Sequence, residues 1–207
     1  MGNPVDFPVY LITDRRQLAA GFTLLSATEA ALRGGLRAVQ LREKDLTAAA
    51  LLPLALELRR LTRDYGALLL INDRLDVALA CEADGVHLGE HSLPTDVARA
   101  LLGEHRLIGR STHSCDEISS AARLGADFVT FGPVYATPSK AAYGPPLGLQ
   151  ALRAACRSTD LPVFALGGIG PANQAEVLAA GATGIALISA IFAHPDPETA
   201  AREFCLS

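Results

Sequence analysis

The stretch LLLINDR (68–74) decides the fold. Four aliphatic residues in succession end abruptly in Asn72, Asp73 and Arg74. A strand with one wet face alternates apolar and polar residues. A strand apolar at every position is buried on both faces, as parallel strands are. The same signature recurs in both directions from this point. PVYLI (8–12) and RAVQL (37–41) precede it, and GVHL (85–88), LIGR (107–110), DFVTF (127–131), PVFAL (162–166) and GIALI (184–188) follow.

Helical segments fall between these runs. Leu46 to Arg63 is long and amphipathic, with Leu51, Leu54, Leu58 and Leu61 spaced for one face. Pro94-Thr95, Asp116 and Pro171 mark further helix starts. Gly34-Gly35, Gly66, Gly103, Gly125 and Gly181 fall where helices should stop. Eight units in 207 residues give about 26 residues per unit, and a (β/α)8 barrel can be as small as about 200 residues. A doubly wound open sheet is the rival. Eight regular units without a Pro/Gly/Ser-rich linker favour a single small (β/α)8 TIM barrel over residues 1–207, an α/β fold of one domain.

Composition narrows the function. Eighteen basic against 22 acidic residues give a net charge of −4, which argues against a nucleic-acid binder. Half of the residues are hydrophobic and only 5% aromatic, so an aliphatic core is expected. Cys81, Cys115, Cys156 and Cys205 are far apart and read as thiols rather than a disulfide framework. MGNPVDF (1–7) lacks the charged and apolar regions of a signal peptide, and no apolar run reaches the length of a membrane span. A cytoplasmic protein without membrane contact is expected; a monomer and a homo-oligomer are both compatible with the sequence.

The residues that follow each strand carry the chemistry. Gln40, Arg42, Glu43 and Lys44 end the second strand, Asn72 and Asp73 the third, Ser111 and His113 the fifth. Thr137, Ser139 and Lys140 follow the sixth, Gly167-Gly168 the seventh and Ser189 the eighth. In a barrel all these ends converge on one face, where active sites sit. Gln40, Arg42 and Lys44 alternate, and period two puts them on one side of an extended segment. Arg42, Lys44 and Lys140 suit phosphate, Asn72 adds amide donors, and Asp73 suits Mg²⁺ carried by phosphates. Gly167-Gly168 and Ser189, after strands seven and eight, mark a second phosphate-like site. Two such sites point to two small phosphorylated substrates.

At motif level, VQLREKD (39–45), INDRLDVAL (71–79), ADGVHLGE (83–90), GADFVTFGPVYATPSK (125–140), ALGGI (165–169) and GIALISAI (184–191) resemble the thiamine phosphate synthase family and its sister branch, the thiazole tautomerase-like proteins. The resemblance implies a Mg²⁺-dependent transferase. It would couple hydroxymethylpyrimidine diphosphate to thiazole phosphate, giving thiamine phosphate and pyrophosphate. It further implies that Gln40, Arg42, Lys44 and Asn72 hold the diphosphate and Asp73 the metal. Ser111 would face the pyrimidine. Thr137, Ser139, Gly168, Ile188 and Ser189 would bind the thiazole phosphate, and Lys140 the pyrophosphate. Arg42, Ser111 and Lys140 are the expected catalytic residues. Two positions depart from the patterns: Ser92 stands where the synthases carry a second metal-binding Asp, and Pro133 where the tautomerase carries an acid–base His. A tautomerase-like isomerase and a non-catalytic binder of thiamine precursors are the alternatives.

Overall fold

Eight short strands, β1 (Val9–Ile12), β2 (Ala38–Leu41), β3 (Leu68–Asn72), β4 (Gly85–Leu88), β5 (Leu107–Thr112), β6 (Phe128–Phe131), β7 (Val163–Leu166) and β8 (Gly184–Leu187), pair in parallel, each with the next. β8 returns to β1, with Val9 opposite Ile185, and closes the barrel. The protein is seen in a computed structural model that describes residues 5–137 and 145–206. Around the barrel lie α1 (Leu24–Arg33), α2 (Ala48–Asp64), α3 (Leu75–Ala80), α4 (Thr95–Leu102), α5 (Cys115–Arg123), α6 (Gly148–Arg157), α7 (Gln174–Ala179), α8 (Ser189–Phe192) and α9 (Pro197–Cys205). No helix among the described residues is long and apolar enough to cross a membrane.

All eight expected strands are present. β5 extends two residues further than expected, carrying Ser111 and Thr112 on the strand itself. The long second helix begins at Ala48 rather than Leu46, because the Thr47 hydroxyl accepts from the Ala50 N–H and caps it. Its buried face is Leu51, Ala55, Leu58 and Thr62; Leu54 and Leu61 flank it. α7 begins at Gln174, not at Pro171, because Asn173 accepts from the Gly170 N–H at 2.8 Å and holds the intervening residues in a turn.

Strand residues alternate between two cores. Val9, Leu11, Val39, Leu41, Leu69, Ile71, Val86 and Leu88 point outward onto the helices. Tyr10, Ala38, Leu70, Phe128, Phe164 and Ala186 point inward. Phe7 plugs the lower end, its ring stacked 4.9 Å from that of Phe164, and Phe128 meets Tyr10 edge-on at 5.5 Å. Rings this large fit a narrow barrel because other inward positions carry no side chain. A Cβ on Gly109 would lie 2.5 Å from Phe128 Cζ, and one on Gly184 would lie 2.7 Å from Phe164 Cε1.

The N-terminal ends of the strands are tied by part-buried charge. Asp84, ahead of β4, accepts from the Leu69 N–H at 2.8 Å and pairs with Arg59. Asp127, ahead of β6, accepts from the Ile108 N–H at 2.7 Å and pairs with Arg99. α9 then packs on α1, joined by Arg33 and Glu198 at 2.9 Å. Their backbones touch: a Cβ on Gly34 would come within 2.4 Å of the Glu198 carbonyl oxygen.

Candidate active site

At the C-terminal mouth the inward positions change from rings to polar groups. Gln40, almost fully buried, donates from Nε2 to the Tyr10 hydroxyl at 3.1 Å. Tyr10 Oη lies 3.5 Å from His87 Nδ1, and His87 Nε2 lies 3.1 Å from Ser111 Oγ and 3.4 Å from Thr130 Oγ1. The imidazole thus bridges Tyr10 on one side and Ser111 and Thr130 on the other, its tautomer setting which contacts it donates. Burial lowers the His87 pKa to about 3, and the positive charges of Arg42 and Arg110 push the same way. The imidazole is therefore neutral at neutral pH. Burial likewise pushes the Tyr10 phenol upward. His87 and His91 do not come together: His87 is inside the barrel, and His91 is exposed on the following loop.

Arg42, Glu43 and Lys44 lie beyond the end of β2. The expected strand alternation therefore stops at Leu41, and Lys44 is an exposed turn residue rather than a member of an extended row. Arg42 nonetheless lies close enough for its positive charge to help lower the His87 pKa. The backbone here is gripped by the β1 loop. The Thr13 hydroxyl accepts from the Arg42 N–H at 2.8 Å and donates to Glu43 Oε1 at 2.8 Å. Glu43, with its side chain 2% exposed, also accepts from the Arg15 N–H and from Arg15 Nη1, the latter at 2.9 Å. Arg15 and Arg16 both pair with Asp45. Arg15 thereby holds the Asp45 carboxyl down at about 2.

On the neighbouring strand, Asn72 ends β3, and the next residue, Asp73, is exposed in the left-handed region at φ 65°. Asp and Asn adopt that conformation more readily than most residues. The Asp73 N–H donates to the His87 carbonyl at 2.9 Å, which fixes this turn on β4. Ser92 accepts from the Gly89 N–H at 2.8 Å, so it closes its own turn. No group of three or more His, Cys, Asp or Glu residues among those described is arranged to hold a metal. One exposed carboxylate beside an amide instead fits a magnesium ion that arrives with substrate phosphates.

Across the mouth the site is made of backbone. Gly167 (φ 100°) and Gly168 (φ 66°) follow β7. The loop after β6 lies directly on them: Tyr135 N–H donates to the Gly167 carbonyl at 3.0 Å. A Cβ on Gly168 would sit 2.7 Å from Tyr135 Cβ and 2.8 Å from the Ala136 carbonyl oxygen. Asn173 Nδ2 donates to the Gly168 carbonyl at 3.0 Å, and the Tyr135 hydroxyl donates to Glu176 at 2.5 Å. His113, which follows β5, takes a loop hydrogen-bonding role, its Nδ1 2.5 Å from the Gly132 carbonyl oxygen. Ile188 precedes α8, and Ser189 opens it, exposed. Thr137 closes the described part of the β6 loop; Ser139 and Lys140 lie outside the described residues.

A family model described as thiamine monophosphate synthase matches residues 9–191, which run from the first residue of β1 into α8. The chain belongs to that family. A putative thiamine-phosphate synthase from Geobacter sulfurreducens is 62% identical over 198 residues, covering 96% of this chain and 92% of that protein. A thiamine-phosphate synthase from Roseiflexus castenholzii is 48% identical, covering 98% and 91%. Among solved structures, a thiamine phosphate pyrophosphorylase from Pyrococcus furiosus superposes with a TM-score of 0.87 at 38% identity, covering 96% of this chain and 93% of that one. Within the thiamine monophosphate synthase family fold, the groups that sequence reasoning missed are the Tyr10–His87–Thr130 chain, the Thr13–Glu43–Arg15 contacts and Asn173. Of these, Thr13, Glu43 and His87 stand at or near strand ends in the sequence, with nothing to mark their partners.

Proposed function

We propose that this chain couples hydroxymethylpyrimidine diphosphate with thiazole phosphate to give thiamine phosphate and pyrophosphate. The observation that carries the reading is the two-sided mouth on a chain of this family. Arg42, Lys44, Asn72 and Asp73 stand on one side, and Gly167–Gly168 with Ile188–Ser189 on the other. In this reading Arg42, Lys44 and Asn72 hold the diphosphate, and Lys140 is a further cation for its pyrophosphate. Magnesium, brought by the diphosphate and met by Asp73, would offset charge on the leaving pyrophosphate. The C–O bond to the pyrimidine methylene breaks with its electron pair leaving on pyrophosphate. The thiazole nitrogen lone pair then forms the new C–N bond.

The chain's own groups orient and exclude. Ser111 meets the pyrimidine, its hydroxyl held by His87 Nε2. The imidazole beneath is neutral, so it adds no positive charge of its own under a methylene that becomes electron-poor. Thr137, Ser139, Gly168, Ile188 and Ser189 hold the thiazole phosphate, leaving its nitrogen aimed across the mouth. Such chemistry works through charge stabilisation and positioning, without a protein nucleophile. The four cysteines carry no disulfide and suit a cytoplasmic enzyme.

Pyrophosphate release by the purified protein, given both substrates, tests this reading. Release that depends on Mg²⁺, stops with chelator and accompanies thiamine phosphate is the expected result. Release without thiamine phosphate, or none at all, sinks it.

A further inference from the structure

A carboxylate between two phosphate-binding cations is a liability, because it competes with the substrate for both. Glu43 stands in that position, between Arg42 and Lys44. The structure shows where its charge goes. The side chain is 2% exposed and turned from the solvent toward the β1 loop. Oε1 accepts from the Thr13 hydroxyl at 2.8 Å, and Oε2 pairs with Arg15 Nη1 at 2.9 Å. The Arg15 N–H adds contacts to both oxygens at 3.2 and 3.3 Å. Thr13 is itself fully buried, and its oxygen also accepts from the Arg42 N–H at 2.8 Å. A hydroxyl that gives its proton to Glu43 and takes one from the backbone of Arg42 locks both residues in one geometry.

We infer that Thr13 and Glu43 are positioning residues for diphosphate binding: clamped to Arg15, they hold the Arg42–Lys44 backbone in its binding conformation before substrate arrives. The inference rests on the functional reading above. The clamp joins the two loops through a buried Thr13–Glu43 bond and part-buried, charge-assisted Arg15–Glu43 bonds, which are the stronger kind. β2 has already ended at Leu41, so Arg42 and Lys44 lie on the loop that the clamp grips. Arg15 and Arg16 pair with Glu43 and Asp45 and close the charge balance locally. Among the described residues, the hydrogen bonds of Thr13, Glu43 and Arg15 stay within β2 and the β1 and β2 loops, so the effect is expected at one substrate.

The test uses the full chain with Thr13→Val, Thr13→Ser and Glu43→Gln. Valine keeps the shape of Thr13 and removes its hydroxyl, serine restores the hydroxyl, and glutamine turns one acceptor into a donor facing donors. Binding of inorganic pyrophosphate with Mg²⁺ is followed by calorimetry, and KM is measured for each substrate. Thr13→Val and Glu43→Gln are expected to weaken pyrophosphate binding and raise KM for the pyrimidine diphosphate about 10- to 100-fold. KM for thiazole phosphate should stay within about twofold, and Thr13→Ser should recover most of the loss. Should Thr13→Val fail to fold, Glu43→Gln and Thr13→Ser carry the same comparison. Equal rises in both KM values, or unchanged pyrophosphate binding in Glu43→Gln, overturn the clamp alone. A wild-type chain that neither binds pyrophosphate nor releases it overturns the functional reading, and the clamp with it.

Discussion

On the β2–β3 side of the mouth the polar groups are side chains: Arg42 and Lys44 on a loop held by the Glu43 carboxylate, and Asn72 and Asp73 at the end of β3. On the β6–β8 side the main chain does the work. Gly167 and Gly168 bend in left-handed conformations beneath the β6 loop, and Asn173 ties the Gly168 carbonyl. The first side is vulnerable to deleting a functional group, whereas the second is vulnerable to adding an atom. A phosphate held by side chains is also held by mobile charge, whereas one held by backbone is held by geometry fixed when the chain folds.

The sharpest test of that contrast is Asp73→Asn. It keeps the left-handed turn, since Asn tolerates φ 65° as Asp does. It should reduce pyrophosphate release by about 10²- to 10³-fold with an unchanged melting temperature. Full activity in this variant would remove Asp73 from the metal role. On the opposite side, Gly168→Ala puts a Cβ 2.7 Å from Tyr135 Cβ. KM for thiazole phosphate should rise about tenfold or more, with kcat at saturation and KM for the diphosphate little changed. A matching rise for both substrates would mean that the two sides are not separate.

The floor between the sides gives a third test, in stability. His87 titrates near 3 in the folded protein and near about 6.5 when unfolded. Between those values the unfolded chain binds the extra proton. The stability conferred by neutral His87 is thus fully present above about pH 6.5 and is lost as pH falls toward 3, by at most about 1.4 kcal/mol per pH unit. Urea midpoints from pH 7 to 4 should follow that slope, and His87→Gln should flatten it. The smallest expected effect is ionic. Raising salt should weaken diphosphate binding more than thiazole phosphate binding, because exposed side-chain charges are screened. KM values measured across a salt series would show equal slopes if the contrast were false.

Much of the fold was legible because parallel strands announce themselves. LLLI and GVHL are apolar throughout, and glycines with positive φ end the helices at Gly35, Gly66, Gly103, Gly125 and Gly181. The same property hid the interior of the site. In a strand buried on both faces, polarity does not tell inside from outside, so GVHL did not show that His87 points inward while Val86 and Leu88 point outward. Alternation suggested a common side for Gln40, Arg42 and Lys44, but it presumes a strand, and β2 stops one residue before Arg42. The Thr13–Glu43 contact joins residues 30 apart, a separation at which a single sequence carries no pairing information. The glycine pair after β7 was visible; the Asn173 bond that braces it was not, because Pro171 two residues earlier looked like the start of a helix.

The seam between β1 and β8 sets an order of events. Val9 finds Ile185 only after the intervening strands have been made, and closing so long a loop is entropically the most demanding contact in the molecule. During synthesis β1 and the most recently made strand both remain open edges, ready to pair with another chain. The grip of α9 on α1, through Glu198, Ala201 and the bare backbone of Gly34, comes later still. It acts as a latch on a ring that has just closed, and a nascent chain halted before residue 184 would lack both the ring and the latch.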